Sequence, residues 1–152
     1  LKIYCPELKV TLLDSLAKRL TFLETVIKEL QLQDINCVHA RAEDAGHDAR
    51  LRGRFDLVTA RAVAKLAVLA EYTLPFAKVG GMVVALKGSA YQDELTEARG
   101  ALKVLGGKVI SAEPVRLPGL ADGRAIIKIK KLGETPKQFP RKAGLPAKKP
   151  LV

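Results

Sequence analysis

Strand-like and helix-like stretches alternate along this chain, and that alternation constrains the fold more than any other feature. Residues 9–13 form a short apolar run that ends in Asp14, and a helical pattern starts at once. There Leu16, Leu20, Leu23, Ile27 and Leu30 recur at steps of four, three, four and three, the apolar stripe of an amphipathic helix. Residues 35–40 and 55–60 read as the next two strands. Residues 82–86 read as a fourth, apolar enough for a central parallel strand buried on both faces. Helical patterns fill 64–77 and 92–105, and each is predicted to stop at a glycine pair, Gly80-Gly81 or Gly106-Gly107. Residues 44–54 are polar and aperiodic, a surface loop or a short helix.

The pattern then changes. Residues 109–117 and 124–131 read as consecutive strands with no helix between them, joined by the hairpin signals Pro118-Gly119 and Asp122-Gly123. Ile127 and Ile129 alternate with Lys128 and Lys130, so one face is predicted to be wet. From Gly133 on, four prolines and five basic residues fall in twenty positions, the composition of an extended arm rather than a packed element. The whole reads as an α/β chain with a doubly wound, mostly parallel sheet closed by an antiparallel hairpin. In such sheets ligands bind beyond the carboxyl ends of the strands. The residues there are Asp14, the Arg41-Ala42-Glu43 corner, Arg61 and Lys87-Gly88.

Size and composition narrow the classes. A chain of 152 residues suffices for one domain with a real core. It has no run of 18 apolar residues, so no spanning helix is predicted, and no signal-peptide pattern opens it. Cys5 and Cys37 do not make a disulfide framework, and a reducing, cytoplasmic location is expected. Cys37 and His39 share a strand face, but two ligands do not close a metal site; a core thiol and a strand histidine are expected, and no metal. The net charge of +10 is uneven: residues 1–123 carry 17 Lys/Arg against 15 acids, and residues 124–152 carry nine against Glu134 alone. A basic end on a nearly neutral body fits a polyanionic partner or a solubilising tail.

Individual residues carry two readings each. The Asp14 carboxylate, at a strand's carboxyl end, can accept both hydroxyls of a ribose; alternatively Asp14 or Ser15 caps the helix. Arg61 suits a carboxylate or phosphate, or an ion pair with Asp56 or Glu43. Lys87 is a phosphate contact or a surface lysine, and Tyr91 a base-stacking ring or a helix-start packing residue. No Ser/His/Asp set or activated cysteine is evident, so no acid–base catalytic residue is assigned.

The corners and the closing hairpin, in this order, resemble the class I methyltransferases that use S-adenosylmethionine. Leu-Leu-Asp-Ser-Leu-Ala-Lys-Arg at 12–19, Arg-Ala-Glu at 41–43, Thr-Ala-Arg-Ala-Val at 59–63 and Leu-Lys-Gly at 86–88 narrow this to the bacterial small-subunit ribosomal RNA methyltransferase G family. The end, Phe-Pro-Arg-Lys-Ala-Gly-Leu-Pro-Ala-Lys-Lys-Pro-Leu at 139–151, is similar to that family's basic C-terminus. The resemblance covers essentially the whole chain. It departs in one respect: the family's first strand and Gly-rich loop, roughly Gly-x-Gly-x-Gly-x-Pro-Gly, do not occur. The expectation is therefore an N-terminally truncated Rossmann-like core over 1–132, with an apolar slot where a central strand is missing, followed by a basic arm over 133–152.

The resemblance implies methyl transfer from S-adenosylmethionine to N7 of one guanine in 16S ribosomal RNA, with the small ribosomal subunit as partner. It implies that Asp14 holds the ribose, with Ser15 also at the cofactor, that Ala42 and Glu43 contact the adenosine, and that Arg61 lies near the methionine end. Lys87, Arg141, Lys142, Lys148 and Lys149 are the expected RNA contacts. Thr59-Ala60-Arg61-Ala62 stands where amino-methylating relatives carry Asn/Asp-Pro-Pro-Tyr, which argues against exocyclic amine chemistry. The alternatives are a nicotinamide-dependent oxidoreductase, in which Asp14 keeps its ribose role, and a non-catalytic RNA-binding module.

Overall fold

The computed structural model describes residues 1–116, 118, 119 and 123–152. Of the hairpin signals, Asp122 lies outside the described residues. The elements run β1 (Val10–Asp14), α1 (Ala17–Glu29), β2 (Ile35–His39), α2 (Ala42–Ala45), β3 (Phe55–Arg61), α3 (Leu66–Thr73) and β4 (Ala77–Lys87). Then come α4 (Tyr91–Glu97), α5 (Arg99–Leu105), β5 (Gly107–Pro114), β6 (Ala125–Lys131) and α6 (Leu145–Lys148). The chain forms two compact units, residues 1–42 and 43–152.

In the first unit β1 and β2 pair in parallel, from Val10 opposite Ile35 to Asp14 opposite His39. Helix α1 turns part of its apolar stripe inward: Leu20 is buried and Leu23 and Ile27 are half-buried. Leu16 and Leu30, the two ends of that stripe, lie outside the helix and are exposed.

The second unit holds a four-stranded sheet in the order β3-β4-β6-β5. Strands β3 and β4 are parallel, whereas β6 is antiparallel to both β4 and β5. Thus β6 alone runs against its neighbours, which is the parallel sheet with a closing hairpin expected from the sequence. Val83 and Ala85 of β4 and Ile127 and Ile129 of β6 pack with Leu66, Leu69, Leu74, Leu102 and Leu105 from α3 and α5. Among the described residues β1 pairs only with β2, and β3 only with β4.

Several sequence expectations are corrected. Strand β4 is not buried on both faces: Val83 and Ala85 are buried, while Met82 and Val84 are half-buried and Leu86 is exposed. Helices α3 and α5 pack on only one side of this sheet. Gly80-Gly81 does not stop α3 but lies inside β4. Gly80 has φ +84°, and a side chain on Gly81 would meet the carbonyl oxygens of Lys78 and Asp56 at 2.9 and 3.0 Å. The pair therefore accommodates the register irregularity at Phe55/Leu57, and α3 ends before Pro75, which cannot continue a helix. The stretch 92–105 is two helices, α4 and α5, that meet at Ala98. Gly106, in the left-handed region at φ +79°, does end α5 as predicted.

The largest correction concerns residues 133–152, which are packed rather than extended. Phe139 joins the core, Thr135, Pro140 and Pro146 are buried, and residues 145–148 form α6. Three buried or half-buried charges hold this segment. Glu71 of α3 is fully buried and accepts the backbone N–H of Arg141 at 2.7 Å and both Nε and Nη2 of its guanidinium, the latter at 2.7 Å. Arg52 donates to four carbonyl oxygens, those of Gly46, Thr135, Pro136 and Phe139, at 2.7 to 3.2 Å. Lys131 donates to the carbonyls of Leu74 and Leu105, each at 3.0 Å, and to Thr135 Oγ1. A chain rich in proline has few backbone donors, so carbonyl-seeking cations and one carboxylate take the place of a ladder.

Arg141→Ala should strand the buried Glu71 carboxylate and lower unfolding free energy by about 3–5 kcal/mol in urea titration. Burial, reinforced by the nearby Arg52 cation and partly offset by Glu134, pulls the Lys131 ammonium down to about 8. Between about 8 and the ordinary lysine value of about 10.4, the unfolded chain still binds a proton that the folded chain has released. Stability contributed by this group should therefore rise with pH across that window, by on the order of 3 kcal/mol, and be flat below it. A urea midpoint series from pH 7 to 10.5 should show the rise in the native chain and lose it in Lys131→Met.

Candidate functional site

In the first unit the parallel pairing brings the carboxyl ends of β1 and β2 to one edge. Asp14 is the last residue of β1 and stands opposite His39, the last residue of β2. The carbonyl of Asp14 accepts the Ala40 N–H at 3.2 Å, so the chain leaving β2 toward Ala42 stays beside it. Asp14 Oδ1 accepts the Leu16 N–H at 2.8 Å and closes the turn into α1. The helix-cap position itself is Leu16, which has no side-chain cap. Asp14 Oδ2 faces Arg19 at 3.4 Å, a long contact to a mostly exposed guanidinium. One oxygen is thus used by the turn and the other keeps free lone pairs. His39 Nε2 lies 3.1 Å from the Ser15 carbonyl, an acceptor, which fixes the ring proton on Nε2. Cys37 is half-buried, and burial first and Glu24 second push its thiol up, so it stays protonated and unreactive at neutral pH.

In the second unit, Arg61 ends β3 opposite Leu86 of β4, with Lys87 next. Arg61 is exposed and has no hydrogen-bond or ion-pair partner among the described residues. The partners weighed for it are engaged elsewhere: Asp56 pairs with Lys78 at 2.9 Å, and Glu43 accepts the Gly144 N–H at 2.9 Å. Ala62, directly after Arg61, has φ +55°, a left-handed conformation that costs a non-glycine residue roughly 1 kcal/mol. The turn therefore bends sharply where β3 presents Arg61.

Two of the expected RNA contacts are engaged by internal partners. The Lys87 ammonium is enclosed, 2.6 Å from Glu94 Oε2 and 2.8 Å from the Ala64 carbonyl, with its side chain 10 % exposed. The same Glu94 oxygen accepts the Leu66 N–H at 2.7 Å, so Lys87 fastens the end of β4 to the starts of α3 and α4. Arg141 is committed to Glu71. A cation already neutralised in a tight pair has little left for a phosphate. Lys142, Lys148 and Lys149 are exposed. Glu43 is buried at 8 %, its carboxylate turned to Gly144. Tyr91 is half-buried and packs against the core, the helix-start packing role weighed for it, and Phe139 lies within the core.

Sequence reasoning missed Arg52, Glu71 and Lys131. Glu71 left a signal: it is the one charged residue in the stretch 66–74, where a lone charge demands a buried partner. Lys131 left one as well, because it continues the dry face of Ile127 and Ile129; nothing marked Arg52. Among the described residues no group of acidic, histidine and cysteine side chains is arranged to hold a metal ion, and no helix is long and apolar enough to cross a membrane.

The Asp14 geometry separates its turn-closing role from any ligand role. Asp14→Ala should lower stability by about 0.5–1.5 kcal/mol through the lost Leu16 bond, while Asp14→Asn should retain most of it, as read by thermal unfolding.

The family model described as rRNA small subunit methyltransferase G matches residues 1–118. A ribosomal RNA small subunit methyltransferase G of Lactobacillus johnsonii is 54% identical over 99% of this chain. One of Brevibacillus brevis is 56% identical over 100% of it. The chain spans 63% and 64% of those two relatives. Among solved structures, a ribosomal protein L11 methylase from Lactobacillus delbrueckii superposes with a TM-score of 0.61 at 16% identity, over 82% of this chain and 58% of that one. An rRNA methylase from Streptococcus thermophilus gives 0.59 at 16% identity, over 82% and 74%. These structures share the Rossmann-like methyltransferase fold. With the family model covering most of its length, the chain belongs to the rRNA small subunit methyltransferase G family.

Proposed function

We propose that this protein takes part in methyl transfer from S-adenosylmethionine to N7 of a guanine in 16S ribosomal RNA, in the bacterial cytoplasm. The observation that carries the reading is Asp14, an acid with free lone pairs at the carboxyl end of a parallel strand, in a chain of this family. A carboxylate there suits the two hydroxyls of a ribose.

The residues present fit the adenosine end of the cofactor. Asp14 and Ser15 would hold the ribose, with Ala42 and the backbone of Glu43 toward the adenosine. The Glu43 carboxylate is spent on Gly144, so its side chain acts by fixing the segment after β2. Arg61, unpaired among the described residues, is complementary to the methionine carboxylate. The sequence contains no Gly-x-Gly-x-Gly motif of the kind that wraps a methionine moiety. When bound, the cofactor supplies an electrophilic sulfonium methyl group.

Guanine N7 bears an exposed lone pair in the ring plane, so its methylation needs no proton removal. The protein's share of such a reaction is alignment, with effective molarity rather than a general base lowering the barrier. Lys142, Lys148 and Lys149 would meet RNA phosphates, which give affinity and salt dependence more than sequence choice.

A titration with S-adenosylhomocysteine, S-adenosylmethionine and NADH tests the reading in the full-length gene product. The sulfur ligands should bind more tightly than NADH, and Asp14→Asn should weaken them about tenfold while unfolding normally. Methyl groups should pass to unmodified small ribosomal subunits. Tighter NADH binding would mark a dehydrogenase-type protein, and RNA binding without methyl transfer would mark a binding module.

A further inference from the structure

The packed C-terminal segment and the segment that follows Ala42 are fastened to each other at several points. Glu43 accepts the Gly144 N–H at 2.9 Å. His47 Nε2 donates to the Pro140 carbonyl at 2.7 Å. Arg52 Nη1 donates to both Gly46 and Phe139 carbonyls at 2.7 Å, and Nη2 donates to Thr135 at 2.7 Å and Pro136 at 3.2 Å. One guanidinium therefore grips both segments at once. Its planar fork is fixed in geometry, so a shift of residues 135–139 carries Gly46 with it.

The far end of the 43–54 segment is fixed separately. The Gly53 N–H donates to the Pro75 carbonyl at 2.8 Å, and the Arg54 N–H donates to the Phe76 carbonyl at 3.0 Å. The contacts to 133–152 thus act on a segment whose far end is anchored to Pro75 and Phe76. The exposed cations Lys142, Lys148 and Lys149 lie on the same C-terminal segment, with Lys142 two residues from the Gly144 N–H that Glu43 holds.

We propose that Arg52 is a positioning residue that transmits RNA contact on residues 133–152 to the 43–54 segment at the cofactor corner. This rests on the reading of Lys142, Lys148 and Lys149 as phosphate contacts and of Ala42-Glu43 as part of the adenosine site. RNA phosphates that restrain the C-terminal segment also restrain the carbonyls that Arg52 and His47 hold. The 43–54 segment then loses freedom without touching RNA, and the cofactor corner is ordered when substrate arrives. The sequence gives no sign of this, since the bonding partners are 83 to 101 residues apart.

Hydrogen–deuterium exchange with and without an unmodified 16S rRNA transcript tests it. RNA should slow exchange at least threefold in peptides from 133–152 and also in peptides from 43–54. Arg52→Lys replaces the fork by a single ammonium. It should keep the RNA effect on 133–152 and lose it on 43–54. His47→Leu, at an exposed position, should weaken the 43–54 effect with the fold intact even if Arg52→Lys is unstable. A purely structural role would raise exchange equally with and without RNA, which would overturn the proposal. So would RNA protection of 133–152 alone in the native chain, or protection of 43–54 that survives both substitutions. If RNA protects neither segment, the RNA reading itself falls and this inference with it.

Discussion

The fork between Arg141 and the fully buried Glu71 is the constraint on which the second unit depends. A carboxylate without solvent is very costly unless every oxygen finds a strong donor. Here a guanidinium and a backbone N–H supply three donor atoms from one residue. That arrangement forces residues 133–152 to return to α3, and the return covers the core residue Phe139. The pair contributes little against two apolar side chains of the same shape, but it specifies where the segment goes.

The same logic runs through the other cations of this unit. Lys131 satisfies carbonyls at the ends of α3 and α5, Arg52 satisfies carbonyls of the proline-rich segment, and Lys87 ties β4 to α3 and α4. Each charge is spent where regular secondary structure stops and carbonyl groups lack partners. The basic excess of the C-terminal region is therefore divided. Part of it is internal bonding, and the remainder, Lys142, Lys148 and Lys149 among it, faces outward.

The strand ends place Asp14 and Arg61 by backbone pairing. Parallel pairing sets Asp14 beside the chain that leaves β2, and Arg61 beside the end of β4. The left-handed Ala62 turns the backbone just after Arg61 and leaves that guanidinium unpaired among the described residues.

Much of this was legible in the sequence, because periodicity and turn chemistry are local. The strand positions, the α1 stripe, the stop at Gly106 and the closing hairpin follow from residues a few positions apart. The corner residues Asp14 and Arg61 followed from where apolar runs end. Tertiary structure alone decided which cations are internal. Lys87 and Arg141 look like surface residues in sequence, Lys131 is placed inward by the strand alternation but without its partners, and Arg52 sits in an aperiodic stretch. Their partners lie far along the chain or are backbone carbonyls, which carry no side-chain signature. A proline-rich basic segment reads as an extended arm because its own composition offers no core. It packs because an acid 70 residues away in α3 is buried and must be paired.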